Sequence, residues 1–237
     1  MNFATIFDMS GVLVDTHDLI WEGTNKILGK YNVHLAPEDI RNYIGKSLEQ
    51  NIQDWNNRYS LSLGLGEFRA DLLNEQRDSL KKLGSNPCLT ALLNELETNN
   101  IAKGVGTSSS RFRAIKILDC LGLRNYFPVL VAAEDVHNHK PSPDTFLKVA
   151  QKLSTPPENC IVIEDSYSGI LAAKIAKMRA IGYLGKHNSI EDLVDADLIV
   201  KDFSELSYQK LSSMFNKNFQ LNNHFSSNHF YKDKLFN

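Results

Sequence analysis

Four short apolar runs, each cut off by polar residues, organise this chain. Residues 3–7 end in Asp8, followed by a turn at Gly11, a second apolar run and then Asp15-Thr16. Residues 101–106 run into Thr107-Ser108-Ser109-Ser110-Arg111. Residues 129–133 run into Glu134-Asp135, with Lys140-Pro141 shortly after, and residues 160–163 run into Glu164-Asp165-Ser166. Runs this short, bounded by turn residues, suit strands buried in a parallel sheet. Across residues 89–199 apolar runs alternate with helical patterns, which predicts βαβ units. Residues 16–82 lack strand patterns. Their apolar positions (Leu19, Ile20, Ile27, Leu28, Ile40, Tyr43, Ile44, Ile52, Trp55) suit helices. Pro37-Glu38-Asp39 predicts a helix start and Gly64-Leu65-Gly66 a break between helices. The expected fold class is α/β, a Rossmann-like parallel sheet of residues 1–15 and 86–208, with a helical block at 16–85 inserted after the first strand. Residues 216–237 are rich in Asn, Ser, Lys and Phe without periodicity, and are expected to be a disordered tail.

In open α/β sheets, chemistry gathers just beyond the carboxyl ends of the strands. Asp8 therefore stands where a nucleophile or metal ligand would sit, although alone it suits an Asx turn equally well. The other strand tips are weak signals singly: Ser runs are usually loops, Lys-Pro is usually a turn, and Glu-Asp pairs are usually solvated. An Asp, a hydroxyl cluster, a Lys and a carboxylate pair in this order point to one built site.

On these four segments, residues 3–206 resemble the haloacid dehalogenase superfamily, in the branch with β-phosphoglucomutase and phosphoglycolate-type phosphatases. The resemblance implies that Asp8 is the nucleophile, that Thr107 is the second-motif hydroxyl, that Lys140 is the third-motif lysine and that Glu164-Asp165 is the fourth-motif acidic pair. It further implies Mg²⁺ held by Asp8, Asp165 and the backbone carbonyl of Ser10, with Glu164 acting through water. Thr107, Lys140 and the backbone N–H groups near Ser108 would hold the phosphate. The helical block becomes a cap that closes over the site, hinged at Asp15-Thr16 and at 82–87.

One residue departs from the pattern. Where the family's phosphatases and mutases carry a second Asp two positions after the nucleophile, this chain has Ser10. That Asp protonates the departing oxygen and later activates water, work a Ser hydroxyl cannot do near neutral pH. Losing such a group costs about 10²–10⁴ in rate. The expected function is a Mg²⁺-dependent phosphatase of a small phosphorylated metabolite, acting through an aspartyl-phosphate at Asp8, with activity reduced or lost through Ser10. The alternatives are a non-catalytic protein that binds a phosphorylated ligand, and a hydrolase like those of phosphonoacetaldehyde, which use a cap lysine. Ile20 and Leu48 replace the mutase's His and Arg, which argues against a mutase. Lys46 is the expected cap contact to an anionic substrate.

Composition narrows the partners. A net charge of −2 and a pI near 6.4 offer no basic surface for nucleic acid. No apolar run reaches membrane-spanning length and no secretory pattern opens the chain. Cys88, Cys120 and Cys160 are read as buried free thiols in a reducing cytoplasm. A monomer or weak dimer is expected.

Overall fold

A computed structural model describes residues 3–43, 46–80 and 86–216. Among them, β1 (Ala4–Phe7), β2 (Ala102–Gly106), β3 (Val129–Val131), β4 (Cys160–Glu164), β5 (Arg179–Tyr183) and β6 (Leu198–Val200) form one sheet, all neighbours parallel, in the order β3-β2-β1-β4-β5-β6. Side chains alternate between its two faces. Ile161 and Ile163 of β4 pack with Phe7, Leu93, Ile117 and Phe127, while Cys160 and Val162 pack with Ile6, Phe146, Val149 and Ala173. Both faces are covered, which is why the strands read as continuous apolar runs.

The first face is covered by α4 (Pro87–Thr98), α5 (Arg111–Cys120) and α8 (Tyr208–Ser213), the second by α6 (Asp144–Lys152) and α7 (Tyr167–Ile175). The helix starts are written locally. Asn86 caps α4 just ahead of Pro87, Ser110 caps α5 and Ser166 caps α7. The strand order reverses around β1 and β4, so the tips of β1, β2 and β4 open on one crevice.

The inserted block holds α1 (His17–Gly29), α2 (Leu48–Tyr59) and α3 (Leu65–Leu80). It has its own apolar centre of Ile27, Leu28, Leu35, Tyr43, Ile52, Trp55, Leu63, Phe68 and Leu72, separate from the two clusters on the sheet. Ser47 and Gln50 form a reciprocal capping box at the start of α2. A helix does start at Pro37 with Glu38 and Asp39 in its first turn, but it is a short 3₁₀ helix, Pro37–Asn42, with the Asp39 carboxylate accepting from the Ala36 N–H at 3.1 Å. One reading needs correction. The break between α2 and α3 falls earlier than Gly66. Ser60 turns left-handed at φ 54°, and Gly66 lies inside α3, where Phe68 N–H donates to the Gly64 carbonyl at 3.0 Å.

The three cysteines are free, but only Cys160 is buried. Cys88 is half-buried, and Cys120, on the last turn of α5, is exposed, because the apolar stripe of that helix runs through Ala114, Ile117 and Leu118. Most of the second expected hinge and residues 217–237 of the tail lie outside the described residues. No described helix is long and apolar enough to cross a membrane.

Candidate active site

The register of β1 against β4 places Phe7 beside Ile163, and Asp8 N–H donates to the Ile163 carbonyl at 2.9 Å. The chain leaves β1 at Asp8 just where it leaves β4 at Glu164-Asp165. The loop after Asp8 turns back sharply through Gly11 at φ 85°, where a Cβ would stand 1.9 Å from Asp165 Oδ2. Only glycine supplies both that backbone and that approach. Ser10 follows Asp8 on this loop, its Oγ accepting from Thr16 Oγ1 at 3.1 Å.

The charges are packed tightly. Lys140 is fully buried. Its ammonium donates to Asp8 Oδ1 at 2.5 Å, to Glu164 Oε1 at 2.6 Å and to the Gly106 carbonyl at 3.4 Å, and it lies 4.7 Å from the centre of the Phe146 ring. All three of its protons are used. Glu164 Oε2 accepts from both the N–H and the Oγ of Ser166, so both Glu164 oxygens are engaged. Burial drives the Asp8 carboxyl upward and Lys140 only partly offsets this, leaving it at about 6. Burial, then Glu164 and Asp8, push the Asp165 carboxyl well above the usual range. Burial pulls the Lys140 ammonium down, but the two carboxylates outweigh it and hold it above the ordinary lysine range.

Beyond β2, Thr107 is buried, its Oγ1 accepting from Ser109 N–H at 3.1 Å as the chain turns into α5. A cavity of about 440 Å³ joins these tips to the helical block. Asp8, Ser10, Thr107, Ser108, Asp165 and the exposed Lys46 all line it, and Lys46 lies 5.8 Å over the Tyr43 ring. Lys140 and Glu164 sit behind that wall. The cap side contributes Trp21, Thr24, Asn51 and Trp55.

A family model described as haloacid dehalogenase-like hydrolase matches residues 5–183. The chain belongs to this family. It is 29% identical over 198 residues, 83% of its length and 92% of the relative's, to a phosphorylated carbohydrates phosphatase of Thermotoga maritima. It is 32% identical over 183 residues, 74% of its length and 93% of the relative's, to a fructose-1-phosphate phosphatase of Escherichia coli. Among solved structures, a β-phosphoglucomutase of Clostridium difficile matches at a TM-score of 0.81 and 27% identity, covering 90% of this chain and 96% of the other. The inserted block is the helical cap of this hydrolase fold.

The donor set fits a divalent cation. Ligand oxygens of Asp8, Glu164 and Asp165 lie within 4.8 Å of one another, all buried. Fully ionised, three carboxylates against one ammonium leave two negative charges, which a divalent ion offsets.

Three groups at the site lie outside the sequence reading. His17 is buried, with Nε2 3.6 Å from Asp165 Oδ2 and Nδ1 3.4 Å from Asp15 Oδ1, and its hydrogen bonding to Asp15 holds that carboxyl below the usual range. Glu134 accepts from the Arg111 N–H at 2.9 Å and meets Arg69 of the cap at 3.4 Å. Arg113, in the first turn of α5, is 6% exposed and lines the cavity; burial pulls its guanidinium down to about 10, still charged at neutral pH.

Proposed function

We propose that this hydrolase cleaves phosphate monoesters of a small metabolite through an aspartyl-phosphate on Asp8, and that Ser10 slows both halves of the reaction. The observation that carries this is Asp8, held at a strand tip on the cavity wall, sharing Lys140 with Glu164 and lying beside Asp165. Phosphatases among the relatives support it.

In this reading Asp8, Asp165 and the Ser10 carbonyl would hold Mg²⁺, with Glu164 beside them, and the bound ion would neutralise phosphate charge. Asp8 attacks phosphorus, the P–O bond to the leaving group breaks, and water later attacks the acyl phosphate to free Asp8 and phosphate. Thr107 and the N–H groups around Ser108 hold phosphate oxygens. Lys140, buried behind Asp8, keeps the carboxylate ionised when the phosphate anion arrives. Ser10 supplies no proton at neutral pH, so esters with poor leaving groups react slowly and water attack lags. Its hydroxyl is already turned to Thr16. The cap closes over the cavity to exclude bulk water.

The test is a panel of alkyl and aryl phosphates with wild type and Ser10→Asp, each with and without Mg²⁺. Wild type should favour aryl esters, show a burst and then a slow steady rate, and need Mg²⁺. No activity of either protein on any ester would leave the second reading, a phospho-ligand binder that keeps the fold, which the side chain of Ser10 favours.

A further inference from the structure

Arg113 is a buried cation without a counter-anion among the described residues. Its Nη1 donates to Gln76 Oε1 of α3, and Gln76 Nε2 donates in turn to the Leu19 carbonyl at 2.9 Å, so the cap holds the guanidinium in place. Its Nε and Nη2 have no partner, and no carboxylate among the described residues pairs with it. Glu134, which lines the same cavity, is engaged by Arg69 and by the Arg111 N–H. Leaving a buried N–H unpaired is costly, and more so on a charged group.

The unpaired atoms identify the ligand. Nε and Nη2 form one edge of the guanidinium, the two-pronged edge that takes both oxygens of a carboxylate or phosphate. That residue lines the same cavity as Asp8, Thr107 and Ser108. We infer that Arg113 is a specificity-determining residue that receives a second anionic group on the leaving portion of the substrate, so that the preferred substrates are phosphate monoesters carrying a further carboxylate or phosphate. Gln76 anchors Nη1, and an incoming anion would complete a buried pair that the described residues lack. This rests on the phosphatase reading, because it places the scissile phosphate at Asp8.

The test is calorimetric binding, in Mg²⁺, of three inert phosphonates that each contain three carbons: propylphosphonate, 3-phosphonopropionate and propane-1,3-bisphosphonate. Wild type should bind at least one of the two doubly anionic compounds about tenfold or more tighter than propylphosphonate, the range that hydrogen bonds to charged groups supply. The tighter of those two identifies the anion as carboxylate or phosphate. R113Q should shrink that gap to less than about threefold, and R113K, which keeps charge but loses the fork, should leave it intermediate. Equal affinity of wild type for all three compounds, or a gap unchanged in R113Q, overturns the role of Arg113 while leaving the phosphate site standing. Binding of none of the three overturns the phosphatase reading and this inference with it. Should R113Q fail to fold, the wild-type gap and R113K decide the question.

Discussion

The two ends of the cavity are built on opposite principles. At the sheet end, every proton of Lys140 is placed on an oxygen, and both oxygens of Glu164 are engaged. At the cap end, Thr24 Oγ1 and Asn51 Oδ1 are buried without hydrogen-bond partners, and Arg113 of α5, which lines the same cavity, keeps Nε and Nη2 unpaired. Orphaned buried groups each cost about 1–3 kcal/mol. The contrast separates two tasks. A phosphate group and its cation are the same in every substrate, so the protein can fix the hydrogen bonds of Lys140 and Glu164 in advance and leave the net charge for the cation to offset. The leaving group is what differs between substrates, and on the proposed reading the unpaired groups at the cap end are the ones that would meet it.

If the sheet end is a finished phosphoryl site, Asp8→Asn in a Ser10→Asp background should lower kcat by about 10⁴-fold or more, measured on an aryl phosphate. A smaller loss would mean that another group carries the chemistry. The next effect is on stability. Lys140→Met leaves Asp8 and Glu164 facing each other in a buried site, and should cost about 3–5 kcal/mol in urea unfolding. The opposite change at the cap end sharpens the comparison. Thr24→Val removes an orphaned hydroxyl at nearly constant shape and should stabilise the fold by up to about 1 kcal/mol.

The raised carboxyls give a pH signature. Asp8 sits at about 6 against an ordinary 3.8, so the folded state binds that proton more tightly than the unfolded chain. Metal-free stability should therefore fall as pH rises from about 4 to about 6, the reverse of a salt-bridged carboxylate. In the proposed site Mg²⁺ would need Asp8 and Asp165 deprotonated, so its gain in melting temperature should be larger near pH 7.5 than near pH 5. Equal gains at the two values would place the ion elsewhere.

The sheet end was legible in the sequence and the cap end was not, for a physical reason. Asp8, Thr107 and Glu164-Asp165 follow apolar runs directly, so hydrophobic pattern and strand tip mark them together. Arg113 and His17 lie on helices, where a charged residue reads as solvent-facing; only the packing of α3 against α5 reveals that Arg113 is enclosed. Trp55 read as core and is core, but it also forms cavity wall, a double role that periodicity does not separate. Cys120 falls in a helical pattern yet on its exposed side, and the short β6 carries too few residues for its pattern to stand out.

The central claim is that the sheet end is complete except for the proton-transfer group at position 10. Intact-mass measurement of wild type after brief exposure to an aryl phosphate and Mg²⁺ tests it most directly. The account predicts a long-lived adduct of one phosphoryl group, absent in Asp8→Asn and turned over too fast to accumulate in Ser10→Asp. No adduct in wild type, together with no turnover by Ser10→Asp, would contradict it.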